Sequence, residues 1–235
     1  MSKRRKKSKG KETSVKVFLF LIAVGILPFT VSLLMHLPHL FSQYNSITRE
    51  MWFSLAGFLF FFILFFIFGP PVRSYIVEHE LSHILFAFMS GVRVKKIVIR
   101  KNDGYVKTQK VNLLIALAPY SLPLYTLFTF IMFRVVQLFH QSTFVSSLFY
   151  SLMGLTLAFH IVTTIHYLQL EQPDLKRYGY FSSLVFIFTW SLVVLSLILA
   201  LLYKKVELFA YLRASEVQGV EFYRRVSSFI FDFFS

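Results

Sequence analysis

A chain of 235 residues with 56% hydrophobic residues, 30 phenylalanines, 15% charged residues and a mean hydropathy of +0.64 is too apolar for a water-soluble globule. The net charge of +14 does not point to nucleic acid: seven basic residues (Lys3, Arg4, Arg5, Lys6, Lys7, Lys9, Lys11) crowd into one N-terminal run, and the others are scattered over loops without interleaved exposed aromatics. With no cysteine there are neither disulfides nor thiolate ligands, so any metal site must use His, Asp or Glu.

The composition predicts an all-α polytopic protein, integral to a plasma or inner membrane. Residues 1–14 read as a basic cytoplasmic tail held against anionic lipid. Apolar runs of spanning length follow over 15–37, 51–68, 111–138, 144–168 and 180–203. The first is too long for a signal-peptide core and lacks a small-residue cleavage site, so it reads as an anchor. Gly69-Pro70-Pro71 stops the second run, and residues 74–90 predict a sixth, shorter helix with Gly91 as its C-cap. Val94, Ile97, Val98, Ile99, Tyr105 and Val106, flanking Asn102-Asp103-Gly104, predict a small β-hairpin over about 92–110. Its basic residues (Arg93, Lys95, Lys96, Arg100, Lys101, Lys107, Lys110) place its turn in water or among headgroups. Residues 204–235 mix apolar and basic side chains as an interfacial amphipathic helix does. The membrane domain is thus 15–203, with about six membrane helices. A cytoplasmic N-terminus brings the motif helix to the cytoplasmic face, and the charge rule favours re-entry of helix and hairpin over a full crossing.

The short helix carries His79-Glu80-Leu81-Ser82-His83 inside the apolar run from Tyr75 to Met89. Two histidines four apart share a helical face and can both reach a zinc ion, and the glutamate beside the first can take a proton from water at the metal. In a charge-rich soluble helix the pattern would mean little. Here Glu78, His79, Glu80 and His83 within two apolar turns cost several kcal/mol unless paired or coordinating, which favours a functional reading.

Hydrolytic zinc needs a third protein ligand. Neither soluble pattern is present: Phe86 and Met89 stand where one needs Gly and His, and no glutamate follows Glu80 until Glu171. The candidates are Asp103, His140, His160, His166, Glu171, Asp174 and Asp232. Asp103 reads as turn chemistry, and His140 sits in a short polar connection. His160 and His166 lie inside a span, and Asp174 follows Pro173 where the chain turns into the next; these three are the strongest, as ligands or as partners of ligands. Asp174 also fits as a helix N-cap.

HExxH on a membrane helix, a hairpin directly after it and a distant aspartate following a proline resemble the site-2 protease group of intramembrane metalloproteases, the M50 peptidases and especially their small M50B-like members. The resemblance covers about residues 74–183. It implies zinc bound by His79, His83 and Asp174, Glu80 as general base, and a membrane-protein substrate. The 95 residues from His79 to Asp174 suit a helix, hairpin, helix, helix order. The chain departs from the family in reading Gln172-Pro173-Asp174-Leu175, without the family's asparagine or the glycine after the aspartate; the Gln172 amide stands where it can help hold substrate. Ser82 replaces the glycine of many family motifs. Two other classes use the same residues: a catalytically inactive M50-like protein that binds membrane partners, and a transporter, against which the lack of repeat symmetry argues.

Overall fold

The computed structural model describes residues 2–234 except Gln43, Gln141, Glu171, Lys204 and Lys205. Its elements are helices α1 (Ser2–His36), α2 (Arg49–Phe68) and α3 (Val72–Met89), strands β1 (Val94–Ile99) and β2 (Gly104–Thr108), and helices α4 (Leu113–Leu117), α5 (Leu124–Gln137), α6 (Thr143–Leu168), α7 (Pro173–Tyr178), α8 (Tyr180–Leu202) and α9 (Leu208–Phe234). Single 3-10 turns cover Leu37–Phe41 and Ala118–Tyr120. Among the described residues four helices are long and apolar enough to cross a membrane: Thr13–Phe41, Arg49–Phe68, Thr143–Leu168 and Tyr180–Leu202. Side chains such as Phe60, Ile63, Phe66 and Ile67 of α2 point outward, an apolar surface that water would penalise and lipid accepts.

Two compact units make up the chain, one from residues 1–45 and 173–235, the other from 46–172. In the first, α1 packs on α8 and α9. The Tyr211 hydroxyl donates to the Leu33 carbonyl at 2.8 Å, Gly219 lies against Phe29, and Tyr223 donates to the Gly25 carbonyl. These contacts run α9 antiparallel along α1, so the segment expected as an interfacial helix is helical but packed lengthwise on an apolar helix. Burial pushes the Tyr211 hydroxyl up to about 12, keeping it a neutral donor.

The second unit is built on α2 and α6, which lie side by side and parallel: Arg49 meets Ser147, Phe61 meets Phe159 and Phe65 meets His166. Both helices start at a side-chain cap, Thr48 accepting from the Met51 N–H and Ser142 from the Val145 N–H. Each carries Ser-x-x-Gly at the crossing. A Cβ on Gly57 would stand 1.8 Å from the Ser151 carbonyl oxygen, and one on Gly154 the same distance from that of Ser54. Small residues admit this backbone approach, which in lipid replaces the missing hydrophobic drive between helices.

Helix α3 follows the Gly69-Pro70-Pro71 stop, with Gly69 at φ +76°. It ends as predicted, Gly91 at φ +63° and the Val92 N–H on the Ala87 carbonyl at 2.8 Å. The hairpin forms with Val98 opposite Tyr105 and Ile97 opposite Val106. Its turn differs from the expected glycine turn: the Arg100 N–H bonds the Asp103 carbonyl, and Gly104 opens β2 without a left-handed φ. Glycine is needed there for space, since a Cβ would lie 2.7 Å from Ile76 Cγ2 and 3.0 Å from Glu80 Cγ.

The apolar run 111–138, expected as a span, is bent. Its two parts, Leu113–Tyr120 and Leu124–Gln137, meet at 77°. Pro119 and Pro123 supply no N–H to continue the ladder, and Asn112 caps the first part through the Ile115 N–H at 2.7 Å.

Adding one methyl at the α2–α6 crossing meets backbone, which cannot swing aside. Gly57→Ala is expected to cost about 1–3 kcal/mol, read as a lower unfolding midpoint in mixed detergent micelles, while Gly25→Ala, with open space around it, leaves the midpoint unchanged.

Candidate metal centre

Tyr75, His79 and His83 recur every fourth residue and so lie along one face of α3. Ring centroids of Tyr75 and His79 are 5.4 Å apart, and those of His79 and His83 4.8 Å with planes at 83°. Each imidazole is held through Nδ1. The Tyr75 hydroxyl bonds His79 Nδ1 at 3.2 Å, and Tyr75 is fixed by stacking on Tyr167 at 3.8 Å. His83 Nδ1 donates to the Ile115 carbonyl at 2.7 Å. A carbonyl only accepts, so the neutral His83 ring carries its lone pair on Nε2, the atom that binds metals. The Tyr75 hydroxyl can accept from His79 Nδ1 and select the same tautomer.

The partner of His83 is a product of the broken helix. In a continuous helix the Ile115 carbonyl would accept from the N–H of residue 119, and residue 119 is proline. The bend thus exposes a backbone acceptor inside the apolar unit, where irregular backbone is tolerated when it is buried in protein, as residues 115–121 are.

Glu80 is 5% exposed and covered by Gly104 at the start of β2. Ser82 is fully buried and donates to the Glu78 carbonyl at 2.9 Å. Its hydroxyl therefore costs no unmet donor.

Glu78 is 2% exposed and joins three helices. Its Oε1 accepts from the Tyr125 N–H at 3.2 Å, capping α5 after Pro123, and its Oε2 lies 3.4 Å from His160 Nδ1 on α6. The Tyr125 hydroxyl reaches back to the Ser74 carbonyl at 3.0 Å. The rotation of α3, and with it the aim of His79 and Glu80, is fixed by these bonds.

His160 therefore partners Glu78, one residue before the motif. His166 packs edge-on against Phe65 and Tyr167. Neither belongs to a metal-binding group with the motif histidines among the described residues. Gln172 is engaged on both sides of its amide: Oε1 accepts from the Tyr120 hydroxyl at 3.0 Å, and Nε2 donates to the Tyr167 carbonyl at 2.9 Å. Tyr120 in turn stands edge-on to His79 at 5.2 Å. Gln172 thus braces the His79 side of the site through Tyr120.

Asp174 belongs to the other unit. Pro173 opens α7, so Asp174 sits in its first turn rather than at the N-cap, half-buried and next to buried Leu175. The Leu175 carbonyl accepts from Ser183 Oγ at 3.2 Å, which ties α7 to α8. Burial pushes the Tyr178 hydroxyl up, Arg177 opposes this, and the Asp174 charge adds to it. Of the remaining candidates, Asp103 pairs with Arg100 at 3.1 Å, His140 and Asp232 are exposed, and Glu171 lies outside the described residues.

Sequence reasoning missed Tyr75, Tyr120, Gly104 and the Ile115 carbonyl. Signals existed for two of them: Tyr75 precedes His79 by one helical turn, and Pro119 follows Ile115 by four. Family models, curated proteins and solved structures yield no match to this chain.

His160→Ala strands a buried carboxylate oxygen, so it is expected to cost about 1–3 kcal/mol; His166→Ala, which loses ring packing alone, costs less. Thermal unfolding of the two variants in detergent compares them, and equal losses would count against the Glu78 bond.

Proposed function

We propose that this protein is an intramembrane zinc endopeptidase of the site-2 protease type, acting on other membrane proteins. The observation that carries the reading is the imidazole pair on a half-buried helical face, each ring held by Nδ1 so that Nε2 serves as ligand atom. Metal-binding histidines have such partners, which fix tautomer and ring orientation. A set of two imidazoles and a carboxylate suits zinc and needs no thiolate.

Asp174 is our third ligand. Gln172, two residues earlier, is tied through Tyr120 to the His79 ring, and two residues of chain span at most about 7 Å.

Zinc, when bound, lowers the pKa of water and polarises the scissile carbonyl. Glu80 then accepts the proton from water and returns it to the departing amine nitrogen. Gly104 lies beside both Ile76 and Glu80. A membrane-spanning substrate hides its peptide bonds in helical hydrogen bonds, so it must unwind before attack, and the outer edge of the hairpin can receive the unwound segment as a strand. In this reading the N-terminus is cytoplasmic with its basic run on anionic lipid, the bent pair α4–α5 serves as a broken span, and α3 with the hairpin re-enters so that the lysines stay in the cytoplasm.

The test is purified protein in detergent, with bound zinc and cleavage of a membrane-spanning substrate measured together. Glu80→Gln is expected to retain zinc while losing cleavage by about a hundredfold or more, and Asp174→Ala to lose zinc; cleavage by Glu80→Gln equal to the parent would rule out Glu80 as base. Pro119→Ala supplies an N–H that competes for the Ile115 carbonyl. It is expected to weaken zinc retention about tenfold, measured by competition with a chelator.

A further inference from the structure

A second polar site lies where α2 and α6 begin, a cavity of about 930 Å³ between these helices and the end of α5. Arg49 and Glu50 of α2 and Arg134 of α5 line it, with His140, and Phe53 and Phe130 form apolar walls. Arg49 is fixed in place: Nη2 donates to Ser147 Oγ at 3.0 Å, and the guanidinium lies over the Phe53 ring at 5.4 Å. Arg134 donates to Gln137 Oε1 at 3.1 Å. Neither guanidinium has a carboxylate partner among the described residues.

Two guanidiniums against one carboxylate leave this lining one positive charge in excess, at the end of two membrane-length helices. Arginine forks match phosphate oxygens, and the N-termini of α2 and α6 add the positive ends of their dipoles. We propose that the cavity binds the phosphodiester headgroup of a membrane phospholipid, its glycerol and first acyl carbons lying against Phe53 and Phe130. One negative phosphodiester balances the excess charge. The aromatic walls distinguish a lipid from free phosphate, which needs only the polar end, and the level of the cavity at the start of the spans is where headgroups lie. The site is remote in sequence from the motif helix and independent of any metal there.

Native mass spectrometry of the delipidated full-length protein, titrated with short-chain phosphatidylglycerol and separately with inorganic phosphate, tests this. One lipid is expected to bind saturably per chain, with inorganic phosphate far weaker. Arg49→Gln with Arg134→Gln is expected to weaken the lipid at least about tenfold, whereas Arg100→Gln with Lys101→Gln, at the hairpin turn, leaves it unchanged. Arg134→Gln alone, on an exposed helix face, keeps the test valid should the double variant unfold. Undiminished lipid binding by Arg134→Gln and the double variant, or inorganic phosphate binding as tightly as lipid, would overturn the proposal.

Discussion

The hydrogen bond from His83 Nδ1 to the Ile115 carbonyl, 2.7 Å long, is the contact on which the candidate centre depends. It requires an acceptor that an intact helix would keep for itself, and Pro119 releases that acceptor by lacking an N–H. An unmet carbonyl in an apolar unit is costly, and the His83 imidazole meets this one. The same bond assigns the His83 proton to Nδ1. Backbone geometry at residues 115–119 thus determines the chemistry available at Nε2.

That contact holds only if α3 cannot rotate, and the second unit resists rotation through polar groups as much as apolar ones. The core beside the motif, Phe61, Tyr75, Ile76, Ala158 and Phe159, is aromatic and tightly packed. Apolar packing alone does not set the angle of a helix in a lipid-like surrounding. Glu78 does, by bonding α5 at Tyr125 and α6 at His160, and α6 is held to α2 by the paired Ser-x-x-Gly crossing. The Tyr75–Tyr167 stack and the chain from His79 through Tyr120 to Gln172 add a second brace. Bracing of this kind suits a site that must hold ligand atoms to within a fraction of an ångström.

Most of the architecture was legible in the sequence where the signal was local. The stop at Gly69-Pro70-Pro71, the end of α3 at Gly91 and the strands on either side of Asp103 follow from backbone preferences of single residues. The bend at 118–123 was not seen because the run 111–138 is uniformly apolar, and membrane helices tolerate proline. The packing of α9 on α1 was not legible for another reason: amphipathicity shows that a helix has two faces, not which surface receives the apolar one. At the centre, HExxH announced the imidazole pair and its glutamate. The partner of His160 is 82 residues away in sequence, and nothing short of the fold links it to Glu78. Gly104 looked like a turn glycine, whereas its neighbours Ile76 and Glu80 explain it by space.

X-ray absorption at the zinc edge of the purified protein tests the central claim most directly. The account predicts one zinc per chain with two imidazole nitrogens and light oxygen ligands, changing to a single imidazole in His83→Ala. Protein that carries no zinc after loading, or a zinc spectrum unaltered by His83→Ala, would contradict it.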